Sequence, residues 1–319
     1  MKKHKGLLIC AGIIVLFAVG AIARVMGLHY TFTVVDGDTH YETACRFGKK
    51  LPGEVIVYTQ DGNVKRYADG YRVTEELTGV IINPPENLNS DVYTMALNKL
   101  QAGKRVMIVY LDGLGYQTYC FVKEQGLVPQ LAALQQGVAA AMYPTITPVN
   151  YAAMVSGKAP AANGVTMRGI HQLQCETIFD RAKEMGLKAY IAEGDTQILQ
   201  FGISQELNAD MDLDGDTDTE VLQSAYAGMD SDLLFVHLHG IDDSGHKYGP
   251  RSTETIAKMQ QTDVWLGELL AAWDGSVIVV ADHGQHENDG TGDSFYADKQ
   301  GVHGAFAPSD LFVPLLCRE

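Results

Sequence analysis

At 319 residues the chain is long enough to bury one large core or two small ones. A hydrophobic content of 46% with 33 glycines fits an ordinary α/β globule. The formal charge of −15, with no compensating basic stripe, argues against a nucleic-acid polymer as partner. It leaves a small phosphate ester open as substrate, because bound metals invert the local field.

In chain order, the first feature is MKKHK, followed by eighteen uncharged, mostly apolar residues (6–23) and Arg24. Such a run is near the lower limit for a membrane-spanning helix, and lysines at its front keep the N-terminus in the cytoplasm. Residues 1–28 are therefore read as a single-pass anchor in the cell membrane, with the body outside the cytoplasm. Ala21-Ile22-Ala23 is an alternative signal-peptidase site, which would give a secreted protein.

Residues 29–100 read as a small β-rich region and linker. YTFTVV (30–35) alternates, and EVIVYT (54–59) runs into Gln60-Asp61-Gly62-Asn63, a hairpin signal. INPPENLNS (82–90) is a loop, since two adjacent prolines do not sit inside a helix, and a short helix from Asp91 to Gln101 follows. Residues 101–319 read as the main domain. Its buried strand candidates are VMIVYL (106–111), AAAMY (139–143), KAYIAE (188–193), LLFVHL (233–238) and VIVVA (277–281). Helices lie between them, the clearest at 253–273, and LFVPLL (311–316) is a last core segment. This alternation predicts a doubly wound α/β sheet between helices, with ligand sites at the carboxyl ends of its strands. Cys10, Cys45, Cys120, Cys175 and Cys317 show no CxxC spacing and read as free thiols packed as small hydrophobes.

The chemistry-bearing residues fall at or soon after those strand ends. Asp112 ends VYLDG, and Asp282-His283 follows VIVVA. Asp242 and His246, four apart in DDSGH, share one face if the segment is helical; Asp243 competes with Asp242. His303 in GVHG is flanked by glycines, and His286 is its rival in the same region. His237 and His239 share a face of their strand and read as strand or supporting residues. Two divalent metals need about six to eight ligand atoms, mostly carboxylate and imidazole, which this set offers. In PTITPVN, Pro148 suits the first turn of a helix, so Thr147 is expected at the N-cap, where free amides favour a phosphoryl oxyanion. A metal on its oxygen would make this hydroxyl a nucleophile. Asn150, three residues on, is placed to donate to a non-bridging oxygen. Separately, DMDLDGDTDTE (210–220) partly matches a calcium loop through Asp210, Asp212, Asp214 and Gly215; Val221 stands at its twelfth position, and a solvated acidic turn is the alternative.

Taken in order, PTITPVN, DDSGH, ADHGQ and GVHG resemble the alkaline phosphatase superfamily, most closely its nucleotide pyrophosphatase/phosphodiesterase branch, over about residues 104–317. The resemblance implies an alkaline phosphatase-like catalytic domain. It implies that Asp112, Thr147, Asp282 and His283 hold one zinc, that Asp242, His246 and His303 hold the other, and that Asn150 orients the phosphoryl group. Three carboxylates against two Zn²⁺ leave one net positive charge, which stabilises an anionic transition state. The implied activity is hydrolysis of a phosphodiester or nucleotide-like substrate through a phosphothreonine at Thr147. A phosphomonoesterase, or a transferase acting on the cell envelope, is the alternative. No counterpart of the monoesterases' active-site arginine is evident, which favours diesters. The oligomeric state is left open.

Overall fold

The computed structural model describes residues 27–319. The apolar run 6–23, expected to be the membrane anchor, lies outside them. No helix among the described residues is long and apolar enough to cross a membrane. The chain divides into two compact units. One runs to Gln60 and resumes with Val64–Pro84; the other comprises Asp61–Asn63 and Pro85–Glu319.

The first unit holds β1 (His29–Asp36), β2 (Thr39–Arg46), β3 (Lys50–Leu51), β4 (Val55–Thr59), β5 (Val64–Tyr67), β6 (Tyr71–Arg72) and β7 (Leu77–Ile82). Five of them form a sheet in the order β2-β1-β7-β4-β5. The β1–β2 and β4–β5 pairs are antiparallel hairpins, the second at the turn expected from Gln60-Asp61-Gly62-Asn63. Phe32, Val34, Val55, Val57, Val73 and Val80 fill its small core.

The second unit begins with β8 (Asn87–Leu88), α1 (Asp91–Gln101) and β9 (Val106–Leu111). It continues with α2 (Tyr116–Glu124), α3 (Pro129–Ala133), β10 (Val138–Ala140), α4 (Thr147–Ser156), α5 (Pro160–Asn163), α6 (Ile178–Glu184), β11 (Ala189–Glu193) and β12 (Glu206–Leu207). Then come α7 (Asp218–Ala227), β13 (Leu233–Leu238), α8 (Gly240–Tyr248), α9 (Thr253–Ala272), β14 (Ser276–Val280), β15 (His286–Glu287), β16 (Gly301–Val302), α10 (Pro308–Leu311) and β17 (Phe312–Arg318). Eight strands form one sheet in the order β12-β11-β13-β9-β14-β17-β10-β8. The five from β12 to β14 are parallel, and β17 enters antiparallel between β14 and β10. Every residue of β9, β13 and β14 is buried. Successive side chains of a strand point to opposite faces, so both faces are covered, as the unbroken apolar runs required. Each such buried Val, Leu or Ile contributes about 1.5–3 kcal/mol. The strand expected over 139–143 is only three residues long, because the chain leaves the sheet at Ala141 for the turn ahead of α4.

The parallel strands direct their carboxyl ends to one edge. Glu193 ends β11, His239 follows β13, Asp112 follows β9, and Asp282 comes two residues after β14. These are neighbouring strands, so the four residues line up along that edge in strand order. None of Cys45, Cys120, Cys175 and Cys317 is in a disulfide.

Candidate active site

Helix α4 is buried on all sides, and its first turn opens onto the strand-end residues. Thr147 is the first helical residue, not the N-cap. Ile146 occupies the cap in an extended conformation (φ −130°, ψ 149°), and Pro148 fits the first turn because it needs no amide hydrogen there. The Thr147 hydroxyl lies 3.3 Å from His283 Nε2. That nitrogen is also 3.0 Å from Asp282 Oδ2 and 3.6 Å from Asp112 Oδ1.

Gly113 follows Asp112 at φ +76°, a conformation that favours glycine, and its amide donates to Asp282 Oδ1 at 3.1 Å. A Cβ on Gly113 would stand 2.7 Å from Asp242 Oδ1, so only glycine lets α8 approach this closely. The segment carrying DDSGH is helical, which puts Asp242 and His246 on one face with His246 Nε2 3.1 Å from Asp242 Oδ2. Asp243 is exposed, so α8 itself decides between the two aspartates. His303 is fully buried, held through Nδ1 by the Thr145 carbonyl at 2.7 Å, with Nε2 4.0 Å from Asp242 Oδ1. His286 is engaged elsewhere, by Asp310 at 2.7 Å and Thr291 at 3.1 Å.

Three sets of ligand-type atoms result among the described residues at the site, each with its members within 4.8 Å of one another: Asp112, Asp282 and His283; Asp242, His283 and His303; and Asp112, His237 and His239. Burial raises Asp112 well above the usual carboxylate range, and the Asp282 and Asp242 charges add to it. Burial opposes the charged form of His283, but Asp282 outweighs it and lifts the ring to about 10. Burial, with His283 and His246 beside it, pushes His303 down to about 3. Asp112 Oδ1, Asp282 Oδ2 and His246 Nε2 are buried and make no hydrogen bond; each faces an ionic neighbour, His283 for the two carboxylates and Asp242 for His246. Leaving an ion buried and unpaired costs several kcal/mol. The free oxygens of two buried carboxylates, Asp112 and Asp282, set among imidazoles, therefore fit bound divalent cations.

Asn150 differs from expectation. It is fully buried, and its carboxamide is consumed by the chain: Oδ1 accepts from Met142 N and Asn89 Nδ2, while Nδ2 donates to the carbonyls of Met142, Pro144 and Ile146. It braces the turn that delivers Thr147 instead of reaching the site. At position 150, in the first turn of a fully buried helix, a polar amide finds backbone partners before it finds a ligand.

Two residues at the site, Arg168 and Tyr296, carried no sequence signal, whereas Gln285, His237 and His239 lie in segments already singled out. Arg168 donates from Nε to Asp293 Oδ2 at 2.7 Å, stacks over Tyr296, and lies 3.5 Å from His303 Nε2. Sequence spacing showed no such arginine, because it comes from a loop 21 residues beyond Thr147 and meets the site only through the chain's return at 293–303. Tyr296 also stacks on His246, with ring centroids 3.6 Å apart. Arg168 lines a cavity of about 420 Å³ with Pro144, Ile146, Met167, Asp293 and Gly304. Gln285 donates to the Asp242 carbonyl and side chain. Behind Asp112, His237 bonds Asp112 Oδ2 at 3.3 Å and Glu193 Oε1 at 2.9 Å, a fully buried row across three adjacent strands. His239 Nδ1 also approaches Asp112 Oδ2, at 3.5 Å.

The sequence profile of type I phosphodiesterase / nucleotide pyrophosphatase matches residues 106–301, more than half of the chain. The chain belongs to the type I phosphodiesterase / nucleotide pyrophosphatase family. As a member it is a phosphoester hydrolase or transferase. Among curated proteins it is similar to the human GPI ethanolamine phosphate transferase 3 catalytic subunit, 37% identical over 83 residues, which are 24% of this chain and 8% of that protein. The mouse protein is 28% identical over 100 residues, 30% of this chain and 9% of that one. The matched span is thus under a tenth of these relatives' length. Among solved structures, murine ectonucleotide pyrophosphatase / phosphodiesterase 5 aligns with a TM-score of 0.54 at 13% identity, covering 67% of this chain and 88% of that one. The same protein in an inactive form in complex with AMP gives 0.52 at 12% identity, covering 67% and 87%. At these identities the likeness is one of fold.

Proposed function

We propose that this family member is an extracytoplasmic, two-metal phosphodiesterase in which Thr147 is the nucleophile. The reading rests on one observation: the Thr147 hydroxyl, at the open end of a buried helix, lies among buried Asp and His groups with unpartnered lone pairs. Asp112, Thr147, Asp282 and His283 would hold one divalent ion, and Asp242, His246 and His303 the other. The three imidazoles favour zinc over magnesium. Bound there, the ions would supply charge neutralisation and a lowered hydroxyl pKa.

The residues themselves do the rest. The first-turn amides of α4 have no intrahelical partners and favour an anionic oxygen beside Thr147. Thr147 Oγ gives up its proton and bonds to phosphorus as the ester bond to one alcohol breaks; that alcohol leaves protonated, and the phosphothreonine formed still carries the substrate's other group. Water then cleaves that intermediate and releases the phosphoryl product. Gln285 and the Glu193–His237 pair hold Asp242 and Asp112 in orientation, which limits reorganisation as charge moves. Arg168 offers a guanidinium at the rim for a second anionic group of the substrate.

A second reading, transfer of the phosphoryl-linked group to an envelope alcohol, is favoured by the similarity to GPI ethanolamine phosphate transferase 3. The basic, apolar N-terminus supports a membrane-anchored location with the catalytic unit outside. The test is a paired assay of nitrophenyl phosphate monoester and diester, with and without added glycerol. Faster diester turnover with water as acceptor supports the first reading; a glycerol ester as main product supports the second. No turnover of either substrate by zinc-loaded protein refutes both.

A further inference from the structure

The loop ahead of α7 carries a cluster of carboxylates that the proposed reaction does not use. Asp210, Asp212 and Asp214 each bring one carboxylate oxygen within 4.8 Å of the others. Gly215 N donates to Asp210 Oδ2 at 3.1 Å, Asp214 N to Asp212 Oδ1 at 3.2 Å, and Asp216 N to Asp214 Oδ1 at 3.1 Å. These bonds alone describe an acidic turn.

Glu220 takes the matter further. Its side chain is 9% exposed, and its Oε1 accepts from Met211 N at 2.9 Å and Asp212 N at 3.1 Å, so the carboxylate is lodged against the loop. Its Oε2 is buried with no hydrogen-bond partner, and so is Asp210 Oδ1. A buried carboxylate oxygen left unpaired is unfavourable unless a cation meets it. Lys258, the lysine at this loop, pairs with Asp216 instead. The donors are all oxygens, which suits a hard ion such as calcium.

We propose that Asp210, Asp212, Asp214 and Glu220 bind a calcium ion. Val221, at the twelfth loop position, is fully buried in the core, so Glu220 serves from one residue earlier. With that bidentate ligand missing and Asp212 and Asp214 at the surface, affinity falls in the weak range of extracellular modules, Kd about 10⁻⁴–10⁻³ M. The ion's role follows from the next residue but three. Asp218, fully buried, accepts from His239 N at 2.7 Å and from Gly240 N at 3.1 Å, and so fixes the start of α8, which carries Asp242 and His246. Calcium fastens the loop on which Asp218 depends.

The test is calorimetric titration of the zinc-loaded protein with CaCl₂ and, separately, MgCl₂, alongside thermal unfolding. The expected result is one calcium site in that affinity range, a higher Tm in calcium than in magnesium, and at least tenfold weaker binding in Asp212→Asn/Asp214→Asn. Asn keeps the turn's acceptor oxygens while removing charge, so this variant is expected to fold; circular dichroism checks it, and Glu220→Gln provides a second variant. No calcium heat and no Tm shift at 10 mM in the unmodified protein, or unchanged binding in folded variants, overturns the proposal.

Discussion

The Thr147 hydroxyl and the His283 ring meet at 3.3 Å although 136 residues separate them. The first residue of a buried helix is thereby set against the first loop beyond a buried strand. Thr147→Ala is expected to lower kcat by about 10³-fold or more, as loss of a nucleophile does. Tm should stay close to that of the unmodified protein, because the methyl of Ala fits wherever the Thr side chain did, and metal content should stay close because Asp112, Asp282 and His283 remain grouped to hold the ion. Near-normal kcat would remove Thr147 from the mechanism.

His303 and His286 should separate by metal analysis. His303 Nε2 faces Asp242, whereas both nitrogens of His286 are taken by Asp310 and Thr291. His303→Ala is expected to lose about one zinc per chain and nearly all activity, and His286→Ala to keep both ions. Chelation should inactivate the unmodified protein, with zinc restoring activity better than magnesium. The reverse pattern between the two histidines would reassign the second ion.

Arg168 should act on binding. Its guanidinium is held by Asp293 and Tyr296 at the rim, so Arg168→Ala is expected to raise KM for an anionic diester about 10- to 100-fold with zinc content unchanged. Lys in its place should recover little, because it cannot reproduce the stacked, planar fork. An unchanged KM with a lower Tm would make Arg168 a structural residue of the 293–296 segment.

Gly284 is a packing constraint. A Cβ there would lie 2.0 Å from the Ser309 carbonyl oxygen and 2.5 Å from Gly115 Cα, both backbone atoms that cannot swing aside. Gly284→Ala is expected to cost about 1–3 kcal/mol by chemical denaturation, and to displace His283 enough to cut activity further than that loss explains. Unchanged stability would show that the 284 and 309 segments part easily.

The sequence alone determined the strands and the type of chemistry. VMIVYL, LLFVHL and VIVVA are unbroken apolar runs, which only a sheet covered on both faces accommodates, and polar residues at their ends must then emerge along one edge. Asp112 and Asp282 were legible for that reason, and the four-residue spacing of Asp242 and His246 left only the helix to be decided. Tertiary structure decided what periodicity does not encode. It turned Asn150 inward, because backbone carbonyls of its own turn surround it, and faced Asp242 inward while leaving Asp243 exposed. It brought Arg168 and Tyr296 to His303 and His246 by the return of a loop, and it lodged Glu220 against the loop of Asp210, Asp212 and Asp214. Each of these depends on contacts between residues distant in the chain or on which side of an element faces its neighbours, and a linear pattern carries neither.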